Sequence, residues 1–552
     1  MRKTRSRVAR TLAAALAVGV IATGCASERG DDNGDKPFVF GAAGDPDSLD
    51  PSISSDGETF RVTRQSFEAL IEHEPGGTEF SPGLATKWSS NKDATEWTFD
   101  LKKDVEFHDG EKFNADAVCA NYDRWYNWTG TYQSDLLSYY WQKVFGGFKK
   151  NENDSLPASN YVGCEAKDEH TAVIKVKKAT ANLPGGFSLQ AMAIHSPKAI
   201  EKYEKENASG SGDAISRPKY TQEAGTVAGT GPFEVEKWNK GNKEITLKKF
   251  DGYHGDKAKT DTLVFRTIDT EDGRKQALES GGIQGYDLVA PGDVASLEKE
   301  GFQVPVRKVF NLFYVGMAQE KNPALKDKKV RQAVSQAIDR QNIVDTQLPE
   351  GGKIASQFVP DTIEGYSDKV PEIKHDPENA KKLLKEAGEE NLTVDFCYPT
   401  EVTRPYMPAP KDMYQIMQKD LENVGIKVKT HPMKWNPTYS DSVRDGKCGL
   451  YLLGWTGDFN DAYNFLGTWF AEPLKEWGFK DKKVFDAVKD SGSEPDLEKR
   501  VELYKKANEV VMDYLPGLPV SSSPPSIAFG KDVNPPKVSP LTQENFAEAS
   551  FK

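Results

Sequence analysis

The sequence predicts an α/β protein built from two or three domains. Its 552 residues exceed the roughly 250–300 that one hydrophobic core can organise. Residues 97–108 alternate apolar and polar side chains as a strand does, whereas residues 330–339 repeat apolar side chains at helical spacing. Charged residues make up 28% of the chain and hydrophobic residues 37%, which is typical of a soluble globular protein.

The first 24 residues predict an export signal. Basic residues between Arg2 and Arg10 precede an apolar run, residues 11–22, which is too short for a convincing membrane span. The small residues before Cys25 resemble a lipobox, with Ala22 where leucine is usual. This resemblance implies lipidation of Cys25 and an exported protein anchored to the outer face of the cytoplasmic membrane. A secretory signal with an incidental cysteine is the alternative.

The segment after the signal is expected to be a tether. Residues 25–37 comprise Cys25 and a polar stretch without apolar periodicity. Cleavage before Cys25 would remove five basic residues and no acidic ones, which changes the formal net charge from −12 to −17. Such an acidic chain argues against a nucleic-acid partner.

Local patterns predict several elements of the mature chain. Residues 39–51 predict a strand followed by a turn, and apolar residues at helical spacing predict a helix over residues 60–71. Alternating patterns predict strands at residues 82–88 and 97–108. A helix is expected after Asn114, which is a good N-cap.

A later helix is predicted by its end signals. Asp376 can serve as its N-cap, Pro377 suits the first helical position, and Gly388 can end it.

The sequence contains no motif for catalysis, metal binding or nucleotide binding. His108 lies beside Asp109, but no second histidine lies at ligand spacing, so a structural turn is favoured. The glycines of residues 229–233 lack the GxxxxGK[ST] pattern of a phosphate loop, and Pro232 opens a strand. No GxSxG or HExxH motif marks a hydrolase. We therefore expect no cofactor, no metal and no enzymatic activity.

Two loops in the C-terminal half carry opposite charges beside aromatic residues. Arg404 opens the segment Arg-Pro-Tyr (404–406), and Asp458 ends the segment Gly-Trp-Thr-Gly-Asp (454–458). A guanidinium can bind a carboxylate through two hydrogen bonds, and a carboxylate can accept an ammonium group. These two charges could therefore hold the two ends of a zwitterion such as a short peptide. Ordinary surface charges with local partners are the alternative.

Both segments resemble those of the dipeptide-binding proteins of ABC importers, within the family-5 solute-binding proteins. The helix at residues 413–425 and the pair Lys434–Trp435 resemble the same family. So do residues 82–125, 229–238 and 376–388, and the resemblance extends over nearly the whole mature chain.

The resemblance implies a periplasmic-binding-protein-like two-lobe fold of the cluster C type. Such a fold has mixed sheets flanked by helices, an extra domain, and a ligand cleft between the lobes. The implied parts are residues 1–24 as lipoprotein signal peptide, 25–37 as lipidated cysteine and tether, 38–70 with 226–310 and 515–552 as domain I (lobe 1), 71–225 as domain II (the extra domain on lobe 1), and 311–514 as domain III (lobe 2).

The resemblance also implies roles for residues of the cleft. Arg404 would hold the peptide carboxylate, and Asp458 the free amino terminus. Ser55 matches a small hydroxyl residue that contacts the peptide in this family, although a turn residue that caps a helix is the alternative. Trp455, which could instead be a core residue, would flank the peptide with Tyr406. The implied ligand-binding residues are Ser55, Arg404, Pro405, Tyr406, Trp455, Thr456, Gly457 and Asp458.

Four cysteines remain when Cys25 is set aside, and an even number in an exported protein suggests disulfides. They allow three connectivities. Sequential pairing, Cys119–Cys164 and Cys397–Cys448, keeps each bridge within one of the implied domains. A zinc site is the weaker alternative because no two cysteines have CxxC spacing.

The resemblance implies an extracytoplasmic receptor of an ABC peptide importer. It would close two lobes around a di- or tripeptide and hand it to the permease subunits, which work with cytoplasmic ATPase subunits. We expect a monomer. The first alternative is another solute in the same fold: a longer oligopeptide, a metal chelate, haem or a glycan. Residues 407–410 and 459–463 depart from the usual family pattern beside the pocket, which leaves ligand size open. A secreted hydrolase is a remote alternative.

Overall fold

The computed structural model describes residues 36–210 and 215–552. The expected signal peptide, Cys25 and most of the tether lie outside the described residues. Within the described part of the chain, no helix combines the length and the apolar character needed to cross a membrane.

Strands and helices occur in mixed order along the described chain. The strands are β1 (Phe38–Ala42), β2 (Ile71–His73), β3 (Phe80–Pro82), β4 (Ala85–Ser90), β5 (Glu96–Leu101), β6 (Tyr161–Asp168), β7 (Thr171–Val176), β8 (Phe233–Asn239), β9 (Glu244–Lys249), β10 (Thr262–Thr267), β11 (Gly285–Asp287), β12 (Asn311–Met317), β13 (Lys353–Ile354), β14 (Thr393–Thr400), β15 (Lys427–Lys434), β16 (Leu450–Thr456), β17 (Gly517–Ser522), β18 (Ile527–Phe529), β19 (Val533–Asn534) and β20 (Ser550–Phe551). The helices are α1 (Gly57–Thr63), α2 (Ala115–Tyr126), α3 (Asp135–Phe145), α4 (Pro197–Tyr203), α5 (Glu271–Glu279), α6 (Val294–Lys299), α7 (Lys328–Ala337), α8 (Arg340–Gln347), α9 (Pro377–Glu386), α10 (Pro410–Asn423), α11 (Ser440–Arg444), α12 (Tyr463–Phe470), α13 (Lys482–Ser493) and α14 (Leu497–Tyr514).

Most strands belong to three sheets. The first six-stranded sheet has the order β18-β11-β1-β10-β9-β8, with β1 parallel to both of its neighbours. The second six-stranded sheet has the order β13-β17-β12-β16-β14-β15, with β14 parallel to β15 and β16. The four-stranded sheet, β4-β5-β7-β6, is antiparallel throughout. These mixed sheets with flanking helices confirm the predicted α/β class.

Each sheet packs its own hydrophobic core. Aromatic residues such as Trp125 and Trp141 fill the core beside the four-stranded sheet, and Phe40 lies in a core of the first sheet. The second sheet has a hydrophobic core on each face. Its strand β12 is therefore buried along its whole length. We use the name lobe 1 for the first six-stranded and the four-stranded sheets with their helices, and lobe 2 for the second six-stranded sheet with its helices.

Several helix ends lie where the sequence predicts them. The side chain of Asn114 accepts a hydrogen bond from the first turn of α2, and that of Asp376 does the same for α9, which begins at Pro377. Gly388 follows α9 with a positive φ of 73°, a conformation that favours glycine. These signals are local, so the sequence alone predicts them well.

The first helix is shorter than the sequence predicts. Helical spacing predicts a helix over residues 60–71, whereas α1 ends at Thr63. Beyond it, the carbonyls of Ala69 and Leu70 accept hydrogen bonds (2.9 Å each) from the chain that leads into β4. A backbone pairing with a later part of the chain therefore overrides the local helical pattern.

The structure contains both predicted disulfides. Cys119 of α2 is bonded to Cys164 of β6, and Cys397 of β14 is bonded to Cys448, just before β16. The second bridge joins the two strands whose ends carry the Arg404 and Asp458 loops.

Two segments, which we call the hinge, connect the lobes. Residues 305–311 lead from lobe 1 into β12, and residues 523–526 lead from β17 back to β18. The side-chain amide of Asn311 donates to the carbonyl of Ser523 (2.7 Å) and accepts from its N–H (3.1 Å). Both residues are buried, so the two segments are held together where they cross.

Four buried charges fix α1 to the hinge. Arg61 of α1 pairs with Asp287 and Glu544, and Arg307 of the hinge pairs with the same two carboxylates at 2.6 and 2.8 Å. Burial alone would raise the pKa of Asp287, but the charges of Arg307 and Arg61 hold it well below its usual range. Each of these four buried charges is therefore stabilised by the opposite charges beside it.

We expect Asp287→Asn to lower the free energy of unfolding by about 3–5 kcal/mol, because it leaves buried guanidinium charge uncompensated. Urea unfolding followed by tryptophan fluorescence measures this change. Asp513→Asn is the matched control: Asp513 pairs with Lys328 at the surface (2.9 Å), and its loss should cost about 0–1 kcal/mol. Equal effects of the two substitutions would contradict the expectation.

Candidate ligand-binding site between the lobes

The loop that carries Arg404 follows β14 and forms a tight turn. The N–H of Arg404 donates to the carbonyl of Met407 (3.1 Å), and the N–H of Met407 donates back to the carbonyl of Arg404 (2.9 Å). The hydroxyl of Ser523, in the hinge, donates to the carbonyl of Pro405 (2.7 Å). The turn is thus fixed both internally and to the hinge.

Tyr406 joins the same loop to β16. Its side chain is buried against Gly454, where a Cβ atom would lie 2.3 Å from the tyrosine ring. A larger residue at position 454 would push the Arg404 loop away from β16. Tyr406 is therefore a buried residue that packs the Arg404 loop against β16.

The guanidinium of Arg404 has one partner in each lobe. It lies over the ring of Trp435 in lobe 2, with 4.5 Å between its central carbon and the ring centroid. Its Nη2 donates to Oδ1 of Asp56 in lobe 1 (3.2 Å). The side chains of this ion pair are only 15% and 16% exposed. Asp56 thus contacts the predicted carboxylate anchor from across the cleft.

Asp458 follows β16 and is held by neutral donors. Its carboxylate accepts hydrogen bonds from the hydroxyl of Tyr140 in lobe 1 (2.9 Å) and from the side-chain amide of Asn464 in α12 (3.2 Å). The oxygen of that amide accepts from the N–H of Asp458 (2.8 Å) and from the indole of Trp455 (3.1 Å). Asn464 therefore fixes the orientation of both the carboxylate and the indole.

The carboxylate of Asp458 is electrostatically unsatisfied. Burial raises its pKa to about 6, against the opposing hydrogen bonds of Tyr140 and Asn464 and the charge of Arg64. In residues 36–210 and 215–552, no lysine, arginine or histidine lies within ion-pair distance of it. A partly buried carboxylate in this state favours the approach of a cation.

The loop between β16 and Asp458 also packs closely. The N–H of Gly457 donates to the carbonyl of Phe310 in the hinge (3.0 Å), and a Cβ at Gly457 would lie 2.3 Å from the phenylalanine ring. The hydroxyl of Thr456 is buried and has no hydrogen-bond partner among the described groups. Trp455 is partly exposed and lies 6.3 Å from Tyr139 of lobe 1, centroid to centroid. Trp455 thus packs against a hydrophobic core of lobe 2 and also faces lobe 1.

Ser55 lies on the lobe 1 side of the cleft, beside Asp56. It is half-buried. The side chain that caps α1 is that of Asp56, which accepts hydrogen bonds from the N–H groups of Glu58 (2.9 Å) and Thr59 (3.2 Å). The capping role considered for Ser55 therefore belongs to its neighbour.

The predicted site residues form two clusters rather than one. Arg404 and Asp458 do not contact each other in the described structure; each is instead bonded to a residue of lobe 1. Three site residues were missed by sequence reasoning: Asp56, Tyr140 and Asn464. The capping pattern identifies Asp56 as a helix N-cap, but no local signal connects it with an arginine 348 residues away.

Two other candidate sites have structural explanations. His108 is bonded to the carbonyl of Gly231 (3.0 Å) and lies edge-on to Phe250, as expected for a structural turn. Among the described residues, one group that could share a metal ion was found, Glu271 with Asp272 and Asp293. Lys275 pairs with Asp293, and exposed acidic groups of this kind are common without an ion.

Two lobes joined by a paired hinge, with two charged loops of one lobe facing the other lobe, are typical of the class of two-lobe solute-binding proteins. Residues 79–476 match the family model of bacterial extracellular solute-binding proteins, family 5. The chain therefore belongs to the family-5 solute-binding proteins, which are binding proteins and not enzymes.

The chain is similar to proteins with different named solutes. It is 30% identical to the dipeptide-binding protein of Escherichia coli K12, over 94% of this chain and 95% of that protein. It is 27% identical to heme-binding protein A of Haemophilus influenzae, over 88% of this chain and 87% of that protein. Both similarities extend over nearly the full length of each chain.

Solved structures support the same fold. The periplasmic binding protein DppA of Helicobacter pylori, in complex with the peptide STSA, has a TM-score of 0.79 and 24% identity, with 94% of this chain and 98% of that chain covered. The dipeptide-binding protein of Pseudoalteromonas sp. SM9913, in complex with Met-Leu, has a TM-score of 0.80 and 22% identity, with coverage of 94% and 100%.

The raised pKa of Asp458 predicts a pH effect on stability without ligand. Because the folded pKa of about 6 exceeds the ordinary value of 3.8, the charge destabilises the fold above pH 6, and protonation relieves this cost as pH falls towards 4. We expect ligand-stripped wild-type protein to gain stability relative to Asp458→Asn between pH 8 and pH 5. Urea midpoints of both proteins at each pH measure this. A difference between them that does not change with pH would contradict the expectation.

Proposed function

We propose that the protein binds di- and tripeptides by their charged termini and delivers them to the permease subunits of an ABC importer. Arg404 would take the peptide carboxylate and Asp458 the free ammonium group. Trp455 and Tyr406 would flank the peptide, and Thr456, with Pro405 and Gly457 shaping the loops, would complete the lobe 2 side. Ser55 would contribute a hydroxyl from lobe 1.

The observation that carries this proposal is where the two charged loops lie. Both follow β14 or β16, which are parallel neighbours, so both leave the same edge of the sheet at the carboxyl ends of its strands. Ligands of open α/β sheets bind at such an edge. The edge offers a guanidinium and an unpaired carboxylate, which together match a zwitterion.

The relatives support a peptide ligand. The Escherichia coli relative is named a dipeptide-binding protein, and the two solved structures hold the peptides STSA and Met-Leu. A relative is also named a heme-binding protein, so another solute in the same fold is the alternative that the test must separate.

We expect a free dipeptide to bind and its N-acetylated and C-amidated forms to lose most affinity. Arg404→Gln and Asp458→Asn should each weaken the free dipeptide at least about 30-fold, because a charge of the ligand is then left unpaired. Calorimetric titration of refolded, ligand-stripped protein measures these affinities.

Lys328→Gln and Asp513→Asn, which change a surface ion pair of lobe 2, are the charge-matched controls and should bind as the wild type does. Failure of folded wild-type protein to bind any dipeptide would refute the proposal. The co-purified solute would then be identified by mass spectrometry.

We also propose that the mature protein is a monomer in three domains. Their boundaries are those expected from the sequence except at the return from lobe 2 to domain I, which lies after β17 (Gly517–Ser522) rather than after residue 514, because β17 pairs with β12 in the lobe 2 sheet. Their support is that the first sheet takes its strands from residues 38–42, 233–287 and 527–529, on either side of the segment that forms the four-stranded sheet. Lobe 2 takes its strands from residues 311–522.

We further propose export and lipid anchoring through Cys25, on the strength of the lipobox resemblance. We expect the wild-type protein to fractionate with membranes and to partition into detergent, and Cys25→Ser to abolish both, because two acyl signals are lost with the cysteine. Ser27→Ala, a change in the tether, should leave anchoring intact. Mass spectrometry of the N-terminal peptide would identify the lipid. Membrane association of Cys25→Ser equal to that of the wild type would rule the anchor out.

A further inference from the structure

We propose that Asp56 is a specificity-determining residue, which makes the protein prefer peptides with a basic C-terminal residue over peptides with an acidic one. The proposal rests on the proposed function, since it assumes that Arg404 takes the peptide carboxylate. It concerns a different question, namely which side chain is favoured next to that carboxylate.

The first step is the charge at this end of the cleft. Arg404 and Asp56 form an ion pair at 3.2 Å with little exposure to solvent. The guanidinium charge is therefore already balanced by a carboxylate of the protein. A peptide carboxylate that binds the same guanidinium adds a second negative charge, so the complex has one more negative than positive group there.

The second step is that Asp56 is held in place. Its Oδ2 accepts hydrogen bonds from the N–H groups of Glu58 and Thr59, and its own N–H donates to the hydroxyl of Ser54 (3.2 Å). Oδ1 is the atom that faces Arg404. Withdrawing this carboxylate from the cleft would break the cap of α1, and α1 is fixed to the hinge by Arg61.

The third step concerns the N–H groups of the guanidinium that a peptide carboxylate could still bind. The ring of Trp435 packs against one face of the Arg404 guanidinium. The Nε of Arg404 is buried and has no hydrogen-bond partner among the described residues. A peptide carboxylate bonded to the remaining N–H groups lies about 4–6 Å from the Asp56 carboxylate, since the nitrogens of one guanidinium are close neighbours. At such separations charges interact appreciably when solvent is largely excluded.

The consequence concerns the C-terminal side chain of the peptide, which is attached to the carbon that bears the carboxylate. A lysine or arginine side chain there places a positive charge near Asp56 and restores the balance. An acidic side chain adds a third negative charge. Asp56 should thus favour the first and disfavour the second.

The test is calorimetric titration of ligand-stripped protein with alanyl-lysine, alanyl-alanine and alanyl-glutamate. We expect wild-type protein to bind alanyl-lysine at least about tenfold more tightly than alanyl-glutamate, because the attraction of the lysine charge and the repulsion of the glutamate charge by the Asp56 carboxylate both contribute to the difference. In Asp56→Asn this ratio should fall towards one, mainly because alanyl-glutamate binds more tightly.

Asparagine caps helices as well as aspartate does, so Asp56→Asn removes the charge and keeps the cap. Asp56→Ser is a second variant with the same property. Asp496→Asn is the matched control: Asp496 is an exposed N-cap, of α14, and its substitution makes the same change in net charge. The control should keep the wild-type ratio.

The outcomes are distinct. If the wild-type protein binds alanyl-alanine but the ratio is the same in wild type and Asp56→Asn, the inference about Asp56 is wrong and the proposed function stands. A wild-type preference for alanyl-glutamate would overturn the inference in the same way. If the folded wild-type protein binds none of the three dipeptides, the proposed function fails and the inference fails with it.

Discussion

The pairing of Asn311 with Ser523 is the interaction on which the geometry of the cleft depends. It closes the hinge at the point where the chain enters lobe 2 and where it leaves. The same short region also holds both charged loops, because the Ser523 hydroxyl bonds to Pro405 and the carbonyl of Phe310 accepts from Gly457. A rotation of the lobes about this hinge therefore acts directly on the loops that carry the two charges, and the hinge and the site behave as one unit.

The two charges of the cleft differ in how they are satisfied. Arg404 has a carboxylate partner and an aromatic surface, whereas Asp458 has hydrogen bonds from Tyr140 and Asn464 but no ion-pair partner among the described residues. A ligand cation at Asp458 would thus neutralise a charge that is costly to bury, while a ligand anion at Arg404 would share a charge already balanced. The amino end of a peptide should then contribute more to affinity, and the carboxyl end more to selection between ligands.

Local signals in the sequence were enough for much of this structure. The caps Asn114 and Asp376 follow from residue type and short-range pattern. The sequential pairing of the disulfides follows from an even cysteine count together with the domains that the family resemblance implies. The end of α1 was not predicted, because it is set by backbone pairing with the chain before β4. The lobe 1 partners of the charged residues, Asp56 and Tyr140, were not either, since they lie more than 300 residues away along the chain and nothing in their neighbourhood marks the contact.

The charged loops of lobe 2 and the residues of lobe 1 that face them differ in how they are held, and this difference bears on the choice of ligand. The loops of lobe 2 are fixed by short hydrogen bonds, by a disulfide and by glycines that leave no space for larger side chains, so they can vary little without disturbing the hinge. The residues of lobe 1 that face them, such as Asp56 and Tyr140, meet them only across the cleft. A change there alters the charge or shape presented to a solute while the scaffold stays intact. Proteins of one family can share a scaffold of this kind and still bind different solutes.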